Sequence, residues 1–517
     1  MNKNSPDRKL RLVRLRIAEI RHVHVFAMST VVVVTLSVLL SLRAALGPFN
    51  TPLGLVNSPI GIATIAGYCL AMVIALRLLE SHRTEVDSNS RSWLIGLALS
   101  SVGVYLGLFL CASGDAFLSD DYVLVLRAAT EGDSVNTIWS TAGGDGSFRP
   151  VGAYYFHWVS SIAHFCPRLW RVASLIVHLS NAALLYGICR RLWPSQLPFA
   201  LSAFALFLLH GTRPEVVYWT AGSFDLLACL FSLLTIYWWL LSVMWHPLCR
   251  WSGSVFLLSL AILSKESAYV TPLLGLLLLL ASERSAGKKS RSFVIVSIGT
   301  VSVFLTHRLL LFGGPGGYVD ATSGSPQILS LNPSSTFKAL AARLWEVLFL
   351  PINWNSERSL IVGGALFLYI LSLLFVGGRV SHVSKRSLVY LTLGVIAAIL
   401  PAIHLALVGE TLLGSRVMYL PSVLFAILVA AFLPTKSNFA KLCLAGILVG
   451  QCVFLSNNLS AWRRASELAD SICNEKWSRP GTFQSIPTEY GGAFVFANGL
   501  PECVEMKKSL ADSSRNP

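Results

Sequence analysis

Charge is what this sequence is short of. Asp, Glu, Lys and Arg make up 13% of its 517 residues, against about 25% in soluble globular domains. The deficit runs along the whole length, and the mean hydropathy is +0.63. That excludes a soluble domain on a single anchor and leaves a polytopic membrane protein. Carboxylates are scarcer still, with 26 Asp and Glu against 41 Lys and Arg. The ten cysteines contain no CxxC pair, which removes the common zinc and redox motifs. No internal repeat or heptad pattern is present, which removes solenoids and coiled coils. The net charge of +15 does not signal a nucleic-acid partner, because seven of the 41 basic residues crowd Lys3–Arg21 and others recur in short loops between apolar runs. That is the footprint of loops on the cytoplasmic side.

What is present is a series of apolar runs. They fall at 25–42, 59–78, 93–111, 172–189, 197–210, 225–245, 254–264, 267–282, 293–311, 359–376, 388–408, 417–433 and 441–456, a bundle of about thirteen transmembrane helices. The fold class expected is therefore all-α and polytopic. Lys265-Glu266 splits one long run into the short pair at 254–264 and 267–282. The basic start leads into Val25–Leu42 without a small-residue cleavage site, so this run reads as a retained first helix. With the N-terminus inside, the inner loops hold Arg83, Arg91, Arg190, Arg191, Arg250, Arg284, Lys288, Lys289, Arg379, Lys385 and Lys436, whereas the first outer loop (47–58) carries no charge. This split places the loops 112–171 and 312–358 and the tail from 457 outside. The chain then divides into a basic N-terminus with two helices (1–92), a membrane core (93–456) and an outer tail (457–517). Within the first large outer loop, Tyr122–Thr130 and Val151–Phe165 have helical apolar spacing with interleaved aromatics, the pattern of interfacial helices. Cys111, Cys166, Cys473 and Cys503 lie on the outer side, where disulfides persist, and no pairing is fixed by their spacing.

Asp120 and Asp121 stand together just past Trp93–Cys111. Charged groups against hydrocarbon are costly, which makes the pair a candidate site by default. Neighbouring carboxylates repel, so one of such a pair readily takes up a proton and suits a general base for an acceptor hydroxyl. Two other roles stay open: Ser119-Asp120-Asp121 as a cap for the helix opening at Tyr122, or a divalent-cation site. Basic residues beside apolar segments recur on the same side, namely Arg149, Arg171, Arg213, Lys265, Arg308, Lys338, Arg343 and Arg416. Singly, each is explained by snorkelling; as a set facing the Asp pair, they point to an anionic ligand. Lys265 either neutralises Glu266 or holds a phosphate as a point charge. Arg416 suits bidentate phosphate binding. Glu215 is a second acid or a cap, and His178 reads best as a histidine satisfied between helices. Asn458-Leu459-Ser460 matches the N-glycosylation pattern.

In order, the chain carries Asp120-Asp121, Phe148-Arg149-Pro150, the run from Leu175 through His178 and Asn181 to Tyr186, His210…Pro214-Glu215-Val216-Val217, Asp225-Leu226-Leu227-Ala228, Ser264-Lys265-Glu266-Ser267 and Ser415-Arg416-Val417-Met418-Tyr419-Leu420-Pro421-Ser422. Over roughly 93–470 this series resembles the membrane core of the transmembrane O-mannosyltransferases that carry tetratricopeptide repeats, and their bacterial relatives, within the GT-C class of integral-membrane glycosyltransferases. The resemblance implies a GT-C bundle and a polyprenyl-phosphate-linked sugar as donor, mannose or another hexose. It implies a protein, glycan or lipid hydroxyl as acceptor and no required cofactor. It puts the catalytic base on Asp120 or Asp121, the donor phosphate on Lys265 and Arg416, and Arg149, Glu215, Glu266 and His178 around the pocket. The expected setting is a bacterial inner membrane, or the endoplasmic reticulum in a eukaryote. The chain departs from the family in having no repeat array after the last span, in reading Gly211-Thr212-Arg213 where the family has proline and histidine, and in its two extra N-terminal helices. The competing class is a transporter or flippase of a lipid-linked anion, with the Asp pair as its ion site; an inactive scaffold is a third. A transporter needs charges near the bilayer midplane, whereas these cluster in loops and at helix ends.

Overall fold

Apolar runs this long satisfy their backbone inside lipid only as helices, and helix is what they form. The computed structural model describes residues 88–112, 114–131, 143–144, 147–242, 246–282, 288–313, 333–353, 383–405, 411–433, 438–478 and 486–515. The basic N-terminus and the expected spans at 25–42, 59–78 and 359–376 lie outside them. By compactness the chain divides into Met1–Cys111 and Ala112–Pro517. Helix α1 (Ser88–Cys111) closes the first unit.

The second unit opens with the two helices anticipated in the loop after α1, namely α2 (Asp120–Thr130) and α3 (Pro150–Ala163). They precede α4 (Pro167–Leu192), α5 (Leu197–Leu208) and the single turn α6 (Arg213–Val217). A 3-10 turn (Thr220–Gly222) leads into α7 (Ser223–Leu241), followed by α8 (Pro247–Ser264), α9 (Thr271–Ala281) and α10 (Lys288–Phe312). Then come α11 (Pro333–Lys338), α12 (Leu344–Phe349), α13 (Lys385–Ile399), α14 (Tyr419–Phe432), α15 (Asn438–Ser478) and α16 (Leu500–Arg515). Proline sits in the first turn of α3, α4, α5, α6, α8 and α9, where its missing N–H costs nothing. Two small hairpins are the sheet among the described residues: β1 (Gly143–Gly144) with β2 (Ser147–Phe148), and β3 (Glu489–Tyr490) with β4 (Ala493–Phe494).

Seven helical stretches among the described residues are long and apolar enough to cross a membrane, and three shorter apolar helices accompany them. The protein is a polytopic α-helical membrane protein. The stretch Ser415–Phe432 is 89% buried and Ser292–Phe312 only 11%. With α5 buried almost throughout, α14 and α5 form the centre of the bundle, and α10 presents its apolar residues outward. Lys265 breaks the expected pair of runs: its backbone is extended (φ −163°, ψ 150°) between α8 and the 3-10 turn Glu266–Val270.

Much of the described tail is helical. Helix α15 is continuous for 41 residues, so position 456/457 falls inside a helix. At 1.5 Å per residue such a helix runs about 60 Å, twice the ~30 Å hydrocarbon thickness. The polar end is helical too, and α16 packs on α15 and α2. Cys473 and Cys503 form a disulfide, with Cα atoms 6.2 Å apart, and Cys166 is free.

Candidate active site

The loop before α2 is built around two buried side chains. Arg171 on α4, 1% exposed, donates to the carbonyls of Gly114, Ala116 and Tyr218, which draws the loop against the turn after α6. Asp121 completes the clasp from the other side. Its Oδ1 accepts from Ala221 N at 2.7 Å and its Oδ2 from Leu118 N at 3.3 Å, and it is 0% exposed. Burial raises its pKa to about 7 against the pull of those N–H groups and of Arg171. The cap expected of this pair does not form at Ser119, whose side chain makes no capping bond. The backbone groups that hold Asp121 belong to Leu118, Thr220 and Ala221, none within its own helix.

Asp120, one residue earlier, turns outward. It is half-buried, and its Oδ1 accepts from Asn498 Nδ2 at 2.8 Å and from Ser119 Oγ at 3.4 Å. The two carboxylates thus face different partners. Because both oxygens of Asp121 already accept N–H groups, the pair offers a cation one carboxylate. Among the described residues, no group of three or more His, Cys, Asp or Glu converges as a metal site.

The turn that Asp121 clasps also carries the next part of the site. Glu215 on α6 accepts four donors: Gly414 N at 2.8 Å, Arg416 Nη1 at 3.1 Å, Ser415 Oγ at 2.8 Å and Arg416 N at 2.9 Å. Burial raises its pKa, and Arg416 pulls it back. Gly414 supplies the left-handed backbone (φ 85°) that aims these groups at one carboxylate. The Arg416 guanidinium lies 4.7 Å from the ring centre of Trp219, and Trp219 Nε1 donates to Leu118 O at 3.1 Å. Gly222 fits because a Cβ there would stand 2.7 Å from Glu215 O.

Lys265 and Glu266 separate instead of pairing, as an extended backbone sends successive side chains to opposite sides. Lys265 Nζ donates to Asp225 Oδ2 at 2.5 Å, both nearly buried. Glu266 accepts from Arg149 Nη2 at 2.8 Å and Arg308 Nη1 at 3.1 Å. The Arg149 and Arg416 guanidiniums lie within electrostatic range of the Lys265 ammonium. Asp121, Glu215 and Arg416 therefore meet through the 213–222 segment, and Arg149, Lys265, Glu266 and Arg308 adjoin at the ends of α3, α8 and α10.

Other residues fall elsewhere. His178 is a core residue of α4, bonded to Tyr419 Oη at 2.7 Å and Leu208 O at 3.3 Å. It is satisfied between helices, as its own surroundings suggest. Arg213 is 0% exposed, with its guanidinium 4.3 Å from the Phe207 ring centre and donating to Phe207 O and Ser422 Oγ; it is buried in the core and does not snorkel. Asn458 is 4% exposed and donates to Gly211 O and Pro351 O, so its sequon is closed to glycosylation. The Lys338 side chain lies outside the described residues. Sequence reasoning gave no role to Asp225, Trp219 or Asn498. The scarcity of carboxylates marks Asp225, whereas nothing local marks Asn498.

Long apolar helices whose ends gather buried ion pairs define an integral-membrane protein with a polar centre set off from its lipid-facing surface. No family model matches the chain. Two proteins of Drosophila melanogaster are similar to it. Protein O-mannosyl-transferase Tmtc2 is 27% identical over 308 residues, 55% of this chain and 30% of the relative. Protein O-mannosyl-transferase Tmtc1 is 31% identical over 147 residues, 27% of this chain and 16% of the relative. The chain spans less than a third of either relative. The likeness read from the motif order is thus borne out as sequence similarity over about half the chain.

Proposed function

We propose that this chain is a glycosyltransferase that moves a hexose, mannose or a related sugar, from a polyprenyl monophosphate to a hydroxyl of a protein or glycan on the outer or lumenal side of its membrane. The observation that carries the reading is the charge balance of the cluster. Arg149, Lys265, Arg308 and Arg416 stand against Asp225, Glu215 and Glu266, which leaves one positive charge. A sugar phosphodiester brings one negative charge, whereas a diphosphate brings more than the cluster can neutralise. The similarity to two proteins named protein O-mannosyl-transferases supports a transferase acting on protein.

In this reading Asp120 is the base, because Asp121 is sealed from any acceptor. The acceptor oxygen forms a bond to the anomeric carbon as its proton passes to Asp120. The bond from that carbon to the phosphate oxygen breaks, and the electron pair leaves with the phosphate. Attack opposite the leaving group inverts the anomeric centre. Lys265 and Arg416 steady the charge developing on the leaving oxygen, and preorganised cations beside low-dielectric surroundings are worth most at that moment. The Cys473–Cys503 disulfide supports placing α16 in an oxidising compartment. The test compares transfer of radiolabelled hexose by membranes holding the protein, from polyprenyl monophosphate and polyprenyl diphosphate donors. Labelled protein or glycan from the monophosphate alone is expected; labelling from the diphosphate, or from neither, would overturn the proposal.

A further inference from the structure

The segment beyond the last span is built onto the Asp120 loop more tightly than a tail requires. Ser119 N donates to Val495 O at 2.9 Å, and Asn498 N donates to Ser119 Oγ at 3.2 Å. The Tyr122 and Phe496 rings stack at 5.6 Å. Gly499 turns the chain at φ 85°, so close that a Cβ there would lie 2.3 Å from Ser119 O. Cys503 N donates to Gly499 O at 2.9 Å, and Cys503 is tied in turn to Cys473 on α15. Ser119 itself has the unusual φ of 47°, which costs roughly 1–3 kcal/mol and persists only where the surroundings hold it.

At the centre of this contact is one side-chain amide. Asn498 Nδ2 donates to Asp120 Oδ1 at 2.8 Å, and among the described residues Oδ2 has no hydrogen-bond partner. We infer that Asn498 is a positioning residue for the transfer reaction: its amide fixes the Asp120 carboxylate by one oxygen and leaves the other turned to the acceptor. This rests on the reading of Asp120 as base. Among the described residues the other hydrogen-bond donor to this carboxylate, Ser119 Oγ, reaches Oδ1 only at 3.4 Å.

The test uses the full chain in membranes with a polyprenyl monophosphate hexose donor. Asn498→Ala removes the amide, and Asn498→Leu keeps much of its bulk while removing the donor without adding charge, so that misfolding of one does not decide the matter. Both are expected to lower kcat per folded molecule about tenfold with the donor KM unchanged. A mere packing role would lower the amount of folded protein and leave kcat per folded molecule in place. Transfer by wild type that both variants match in kcat would overturn this inference alone. No transfer by wild type from any such donor would overturn the transferase reading, and the inference with it.

Discussion

Two adjacent aspartates have been given unlike surroundings. Asp121 is sealed among backbone N–H groups, whereas Asp120 keeps one oxygen open. Adjacency on a helix makes such divergence natural, since neighbours point about 100° apart. The pair stood out as a candidate because carboxylates are rare here, but the unlike surroundings of its members depend on Ala221 and Asn498, 100 and 378 positions away. Lys265 teaches the same lesson. Its neighbour Glu266 looks like its partner in the sequence, and only the extended backbone at the break sends it to Asp225 instead. Asp121 also predicts a pH effect. Its folded pKa of about 7 exceeds the ordinary aspartate value of 3.8, so between those values the native state keeps a proton the unfolded chain has lost. Stability should therefore fall as pH rises from about 4 to about 7, by up to ~4 kcal/mol, and level off beyond. Melting temperatures in detergent across that range should show the slope in wild type and lose it in Asp121→Asn; an equal slope in both would contradict the assignment.

Among the elements, the apolar runs were read with little error because hydrocarbon admits only helices. Most described spans follow the expected ones to within about five residues, though α8 begins seven earlier, α13 ends nine sooner and α15 runs 22 further, and α2 and α3 form where aromatic-rich helical spacing occurs. What the sequence concealed is where a helix stops mattering to the membrane. Helix α15 continues far past its apolar part because Ala461–Cys473 keeps helical spacing with no breaker. Its far end is therefore a rigid post for α16, fixed by the disulfide and by Lys507 donating to Asp470 at 3.0 Å. Closing a loop of separation 30 should contribute about 3.6 kcal/mol. Cys503→Ser should lower the melting temperature and slow transfer by loosening the segment that carries Asn498. Unchanged melting and unchanged rate would show that the staple does not support the site.

Across the molecule, the buried ion pairs of the site gather near helix ends, while α14 and α5 at the bundle centre are buried almost throughout. The proposed lipid-linked donor would use that division, with its greasy chain beside outward-facing helices such as α10 and its charged headgroup where Arg149, Lys265, Arg308 and Arg416 gather. The scarcity of charge already implied the first half of this plan. The second depends on residues from 149 to 416 meeting in space, which order along the chain suggests through the resemblance and spacing alone does not. The most direct test of the whole account is hexose transfer from polyprenyl monophosphate by wild type, Asp120→Asn and Asp121→Asn, with each variant's folding checked by its melting temperature. The account predicts that Asp120→Asn folds normally and loses transfer at least a hundredfold, as expected on removal of a general base, while Asp121→Asn retains measurable transfer. Full activity in Asp120→Asn would contradict it.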